Sequence, residues 1–432
     1  MQIVSQLLFL VALVAAVYFF SRRVAGIRRN ILRGRDIDLS DQPALRWKNL
    51  VLLAFGQKKM FRNPLVAVLH FFVYAGFIII NLEILEIIID GVAGTHRIFA
   101  PVLGPLYGIL IGCFEILAVL VAVSCAIFLV RRNILKLRRF LSKDLDGWPR
   151  SDANYILITE IVLMALFLTM NTADGILQSR GVPHYVPVQP FWVTQHFAGI
   201  FNGLSDSTLI TIERTAWWLH ILGVLAFLDY LPYSKHLHIV LAFPNAYYTR
   251  LKPKGRMDNM PEIQQEVLYA MQPELAANAA PGDTPPKFGA KDVHDLTWKN
   301  LLDAFACTEC GRCSAACPAT QTGKALSPRL IMMKTRDRAE EIGRQNGEAG
   351  DKTLLRGYIT EEELRACTSC NACVEECPVS INPLDIILQM RRHLIMEESS
   401  APQEWNMMFS NIENNMAPWK FSPDDRDAWI NS

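Results

Sequence analysis

Very little in these 432 residues is unbalanced in charge, with 43 Lys and Arg against 42 Asp and Glu. A chain so near neutrality offers no field to a nucleic acid, and no such partner is expected. A glycine-rich nucleotide loop and an activated nucleophile are also missing, so an enzyme complete in one chain finds no support. No basic segment precedes the first apolar run and no clear small-residue cleavage site follows it. Residues 3–20 therefore read as a retained span rather than a removed signal peptide. Outside two short runs there are only two cysteines, Cys113 and Cys125, in an apolar stretch where a thiol acts as a small hydrophobe.

The other eight cysteines spell C-x2-C-x2-C-x3-C-P twice, as CTECGRCSAACP over 307–318 and CTSCNACVEECP over 367–378. Such runs hold [4Fe-4S] clusters, three thiolates closing on one cluster while the fourth serves the other. The expected ligand sets are Cys307, Cys310, Cys313 and Cys377 for one cluster, and Cys367, Cys370, Cys373 and Cys317 for the other. Zinc sites usually pair two C-x2-C knuckles, and sulfurs this close in sequence cannot bridge in such numbers without strain. Clusters and free thiols call for a reducing compartment, which puts this end of the chain in the cytoplasm.

Apolar runs of spanning length occupy 3–20, 64–89, 102–130, 154–177 and 211–231. Five spans leave the chain ends on opposite sides of a membrane. Segment 21–63 carries eleven Arg and Lys and 131–150 carries seven, whereas 90–101 holds only Arg97 and 178–210 only Arg180. The positive-inside rule then puts the N-terminus outside and everything after the fifth span in the cytoplasm of a multi-pass inner-membrane protein. Two independent arguments thus agree on the side.

Ionisable residues within spans are functional candidates by default. His70 lies about two turns into the second span, and His238 follows the fifth at the same side, so two imidazoles reach similar depth and could clamp a haem iron. His220 sits in the outer half of span five. A histidine that hydrogen-bonds a neighbouring helix is the bland alternative. Glu83, Glu86 and Asp90 recur at i, i+3 and i+7 on one face of span two at its outer end, either as proton acceptors beside a quinol or as markers of the interface. Glu115 and Asp174 are further candidates of that kind. The outer loop 181–210, with Pro183, Pro187, Pro190 and FWVTQHFAGIF, reads as a lid or as an interfacial aromatic belt.

The fold class expected is all-α: a five-helix transmembrane bundle over 1–245, a linker over 246–287, an α-helical ferredoxin domain over 288–398 and a tail over 399–432. Residues 272–290 are rich in Ala, Pro and Gly, while PEIQQEVLYAMQ and LTWKNLLDAF have helical spacing. The stretch PRLIMMKTRDRAEEIGRQN between the cysteine runs is helical by composition, which points to an all-α ferredoxin domain like that of succinate dehydrogenase iron-sulfur subunits. Pro318 and Pro378 end the cluster loops.

Two resemblances attach to these segments. PYSKHLHI, with His220 eighteen residues before His238, is similar to the last helix of the cytochrome b (gamma) subunit of respiratory nitrate reductases and its relatives. That resemblance implies five spans, haem b ligated from the second and fifth helices, and exchange with quinone. His70 and His238 match the inner ligand pair and His220 the outer fifth-helix ligand. Where a second outer histidine is needed the chain reads Ile80, Asn81, Leu82, so one haem is carried over and a second would need His196 or His184 to fold back.

TWKNLLDAFACTECGRCSAACPATQTGKALSPRLI and the tail NMMFSNIENNMAPWKFSPDDRDAW resemble heterodisulfide reductase-related iron-sulfur oxidoreductases. In larger relatives a CCG-rich domain follows; here there is none, which implies a separate cysteine-rich, CCG-type partner subunit. Trp405, Trp419 and Trp429 are docking anchors or pack the tail onto its own domain. The resemblances together imply a membrane-bound electron-transfer subunit linking quinone, haem b and two [4Fe-4S] clusters. The competing reading is a tethered iron-sulfur module that anchors or senses redox state, with structural histidines.

Overall fold

The computed structural model describes residues 2–188, 191–277, 287–420, 423–425 and 427–431. Residues 278–286 of the expected linker, and Pro190 of the outer loop, lie outside them. Among the described residues the chain is helical, with no strand beyond two isolated bridges, Arg35 with Thr297 and Leu355 with Ile359. Five helices are long and apolar enough to cross a membrane. They are α1 (Gln2–Ile31), α2 (Pro64–Ala93), α3 (Pro105–Asn133), α4 (Trp148–Ser179) and α5 (Asp206–Tyr230).

Local sequence sets their ends. Asn63 caps α2 by accepting from Val66 N–H at 3.2 Å, with Pro64 at the first helical position. Ser205 does the same for α5 through Thr208 N–H. Gly104 at φ +53° followed by Pro105 separates a short turn from α3, so the third helix begins a few residues later than hydropathy alone suggests. Each helix packs on its neighbour in sequence and α5 returns to α1, closing a ring in the order 1-2-3-4-5. Phe9, Ile87, Tyr107, Ile111, Phe114, Phe167 and Ile221 fill its middle.

Beyond α5 come α6 (His238–Tyr247) and α7 (Pro261–Met271). The remainder is built twice on one plan. Helix α8 (Trp298–Phe305) leads into the first cysteine loop, α9 (Arg312–Ala316) and α10 (Pro328–Arg344); α11 (Glu361–Arg365) leads into the second loop, α12 (Ala372–Glu376) and α13 (Pro383–Met396). Both entry helices start with a threonine capping box, Thr297 with Asn300 and Thr360 with Glu363. The tail adds α14 (Gln403–Asn415).

The two halves share a core, since Ile27 and Ile31 of α1 and Leu231 and Leu237 after α5 are buried with Leu301, Phe305, Ile331 and Ile387. Helix α1 continues well past the apolar run, and Arg23 pairs with Glu340 of α10 at 2.7 Å. Arg35 N–H donates to Leu296 O at 2.7 Å, and Trp298 N–H to Arg35 O at 3.0 Å. The ferredoxin-like half therefore sits against the end of the bundle that carries the basic loops.

Candidate functional site

The backbone of the two cysteine loops matches position by position. Glu309 (φ +52°) and Gly311 (φ +72°) in the first correspond to Ser369 (φ +58°) and Asn371 (φ +60°) in the second. Left-handed residues on either side of the second cysteine turn successive N–H groups inward, a concavity suited to an anionic iron-sulfur core. Ser369 N–H points at Cys367 Sγ (3.4 Å) and Ile381 N–H at Cys377 Sγ (3.3 Å).

Helices α9 and α12 pack together, so each loop meets the end of the other. Cys313 lies within electrostatic reach of Cys307, Cys310 and Cys377 and also of Cys373, which in turn lies within reach of Cys367, Cys317 and Cys370. Among the described residues no three such side chains converge tightly enough for a single metal ion. Burial first, then the neighbouring thiols, pushes Cys307 and Cys373 up to about 12 and Cys377 to about 11. Four bare thiolates would not coexist here, and a core carrying iron charge is what makes a deprotonated set stable. The thiol donors fit a cluster in that sense.

A cavity of about 530 Å³ connects these loops to the bundle. It is lined by His70, His236 and His238 and by Cys307, Cys310, Cys313 and Cys377, together with Cys373 of the other set. The volume is within the roughly 300–1,000 Å³ usual for cofactor pockets. The ring centres of His70 and His238 are 6.4 Å apart. Metal–imidazole bonds of about 2.0–2.1 Å on both sides of one ion put two ring centres roughly 6 Å apart.

The second partners of these rings matter as much. His238 Nδ1 donates to Lys235 O at 2.9 Å and His70 Nδ1 to Gln57 Oε1 at 2.9 Å, which leaves each Nε2 as a free lone pair. Burial lowers the pKa of His238, and takes that of its neighbour His236 down to about 3, which favours the neutral ring that a metal-binding imidazole needs at His238. Arg131, Arg132, Arg139, Arg150 and Lys235 line the same cavity and suit the carboxylates of a haem edge.

His220 is buried in the bundle with Nδ1 donating to Leu163 O at 3.0 Å and Nε2 without a partner. Its ring neighbour is Phe167, centres 6.2 Å apart. His184 packs instead against His96 at 5.4 Å, and His196 is exposed, so neither folds back to it.

Glu83, Glu86 and Asp90 are buried, on the last three turns of α2. Asp90 accepts from Thr95 Oγ1, Arg97 N–H and Ile98 N–H, and Glu86 from Phe99 N–H and Tyr107 Oη, which fastens the loop after α2. Arg97 bonds Asp174 (2.5 Å) and Asn171 (2.9 Å). Glu115 accepts from Val193 N–H, Thr194 N–H and Thr194 Oγ1, tying down the FWVTQH segment. Only Glu83 Oε2 in this group has no partner. In the tail, Trp405 lies under Arg365 at 5.5 Å, and Trp419 and Trp429 are largely exposed.

Sequence reasoning did not single out His236, Gln57, Lys59 or Arg97. The His-Leu-His pattern at 236–238 was the available signal for the first; Gln57 is recognised by its bond to His70, and Lys59 and Arg97 by partners far away in sequence.

The chain matches the model of a 4Fe-4S dicluster domain over residues 303–381. It is 27% identical to a probable iron-sulfur-binding oxidoreductase, FadF, of Bacillus subtilis, over 99% of this chain and 61% of that protein. It is 26% identical to the EtfAB:quinone oxidoreductase of Syntrophomonas wolfei, over 93% of this chain and 56% of that one. A probable membrane-anchored ferredoxin of Chromohalobacter salexigens is 33% identical over 34% of this chain and a quarter (25%) of its own length. The chain thus spans about three-fifths of the first two relatives. No solved structure matches it.

Proposed function

We propose that this chain is a membrane-bound electron-transfer subunit of a quinone-linked oxidoreductase, in a bundle resembling nitrate reductase gamma subunits. Its domains follow the division at 245, 287 and 398, with the N-terminus outside and the ferredoxin domain in the cytoplasm. Two [4Fe-4S] clusters and a haem b supply the one-electron chemistry. Cys307, Cys310, Cys313 and Cys377 hold one cluster, Cys367, Cys370, Cys373 and Cys317 the other, and His70 and His238 the haem.

One observation carries the reading: a single cavity is lined by both the His70–His238 pair and the first cysteine set. A mere tether needs no two imidazoles with free Nε2 atoms facing a void beside cluster thiols. The chain's own residues orient and insulate: Gln57 and the Lys235 carbonyl fix the tautomers, and apolar walls such as Phe77, Ile78 and Phe243 keep water out. The likeness to a quinone oxidoreductase supports quinone as the membrane-side substrate. A separate CCG-type subunit is the proposed partner on the cluster side, with Trp405, Trp419 and Trp429 of the tail proposed as its docking anchors. His220 keeps an unpartnered Nε2, but with neither His184 nor His196 folded back to it, one haem, between His70 and His238, is what is proposed. Glu83, with its unpartnered oxygen beside Glu86 and Asp90, is proposed to exchange one of the two protons that the quinol–quinone couple releases or takes up with its two electrons.

The test is a reduced-minus-oxidised spectrum with pyridine haemochrome quantitation on the detergent-purified protein. One haem b per chain is expected, lost in His70→Ala and in His238→Ala. A haem-free protein with full iron and sulfide would sink the cytochrome assignment.

A further inference from the structure

Lys59 belongs to neither ligand set, yet its ammonium reaches from the membrane half into a cysteine loop. It donates to the carbonyls of Val374 (3.2 Å) and Cys377 (3.0 Å) and to Ser380 Oγ (3.0 Å). Three acceptors satisfy all three N–H donors of a charged lysine, and none of the three is an anion, so the charge is held in place without being cancelled. The acids nearby are engaged elsewhere: Glu376 with Arg62, Glu375 with Arg62 and Lys254.

Val374 follows Cys373 of the other set, but Cys377 O and Ser380 Oγ belong to the loop of Cys377, and that is the thiol with which Lys59 interacts electrostatically. The other cysteine set has its own cation, Arg391, donating to Cys367 O at 2.6 Å. That arginine lies on α13, within the ferredoxin-like half itself. Lys59 instead sits in the turn Lys58–Arg62 that leads into α2.

We propose that Lys59 is a redox-positioning residue: seating the ferredoxin domain on the bundle sets its ammonium against the Cys307–Cys310–Cys313–Cys377 cluster and raises the reduction potential of that cluster alone. Reduction from the 2+ to the 1+ core adds one electron and makes or breaks no bond. A fixed cation in a site of low dielectric stabilises the more negative, reduced form. The proposal rests on the ligation given above, and it makes the cluster beside the membrane responsive to how the two halves are joined.

The test is a potentiometric EPR titration of the purified full chain as wild type, Lys59→Met and Lys59→Arg, with iron and sulfide measured on each sample. Lys59→Met should change the reduced-to-oxidised ratio of one cluster about tenfold at fixed poise, which is about 59 mV downward for a one-electron couple. The second cluster should not move, Lys59→Arg should stay near wild type, and the shifted signal should be the one altered by Cys377→Ser. Unchanged potentials at full cluster content, or both clusters shifting together, would overturn the proposal. Fewer than two clusters in the wild-type chain would refute the ligation reading instead. Should Lys59→Met lose its clusters, Lys59→Gln keeps hydrogen-bonding capacity without the charge and gives the same readout.

Discussion

Arg338 is about as buried as any residue of the protein, at 1% exposure, and it is fully used. Its guanidinium bonds Asp292 at both oxygens (3.1 and 2.7 Å), Glu341 (2.7 Å) and Ala349 O (2.6 Å), while Asp292 also accepts from Leu354 N–H. Removing one partner strands a buried carboxylate, so Arg338→Met should destabilise the ferredoxin-like half by about 3–5 kcal/mol. Chemical denaturation followed by cluster absorbance would measure it. At this scale the cysteines were legible because their pattern is contiguous and their chemistry dictates the spacing. His70 and His238 were legible as two imidazoles at one depth. Lys59 was not: its partners lie more than 300 positions away, and a lysine in a basic loop looks like any other topology marker. Arg97 was counted as the lone cation of its loop, but its buried partners Asp174 and Asn171 lie on another helix more than 70 positions on, which a charge count does not reveal.

Helix α1 shows what hydropathy does and does not reveal about an element. Apolarity falls off after residue 20, which ended the span in the sequence reading, but the helix runs on to Ile31 because nothing in SRRVAGIRRN breaks it. Its last turns bury Ile27 and Ile31 in the ferredoxin-like core. Just beyond, a Cβ on Gly34 would stand 2.6 Å from Trp298 N and 2.7 Å from Thr297 C, both backbone atoms that cannot swing away. Gly34→Val should cost about 1–3 kcal/mol by overpacking, read as a lower midpoint for thermal loss of cluster absorbance. Gly26, which meets nothing within 4 Å, supplies the control, because Gly26→Ala should leave that midpoint unchanged or raise it. The five spans and the helical ferredoxin-like architecture were readable; the shared core was not, since it needs two distant segments at once.

Over the whole molecule, the ferredoxin-like half is clasped where it begins and ends. Glu398 pairs with Lys291 at 3.1 Å and with Arg356 at 2.7 Å. Burial would raise its pKa, but hydrogen bonds from Arg356 and Lys291 outweigh that and hold it down at about 2. A carboxylate depressed on folding contributes stability that is complete above its ordinary range, near 4.5, and is lost as pH falls toward 2. Glu398→Gln should therefore lower stability at neutral pH and flatten its decline between those limits, as denaturation curves across that range would show.

The matched halves of the ferredoxin-like unit, with the same threonine-capped entry helix and the same pair of left-handed residues in each loop, have a historical reading. They look like one ancestral segment copied in tandem. Since each cysteine run ends against its twin, the proposed ligation makes each copy the custodian of its sibling's fourth thiolate. A lineage built that way cannot lose or remodel one half at leisure, because a change in either is felt by both prosthetic groups.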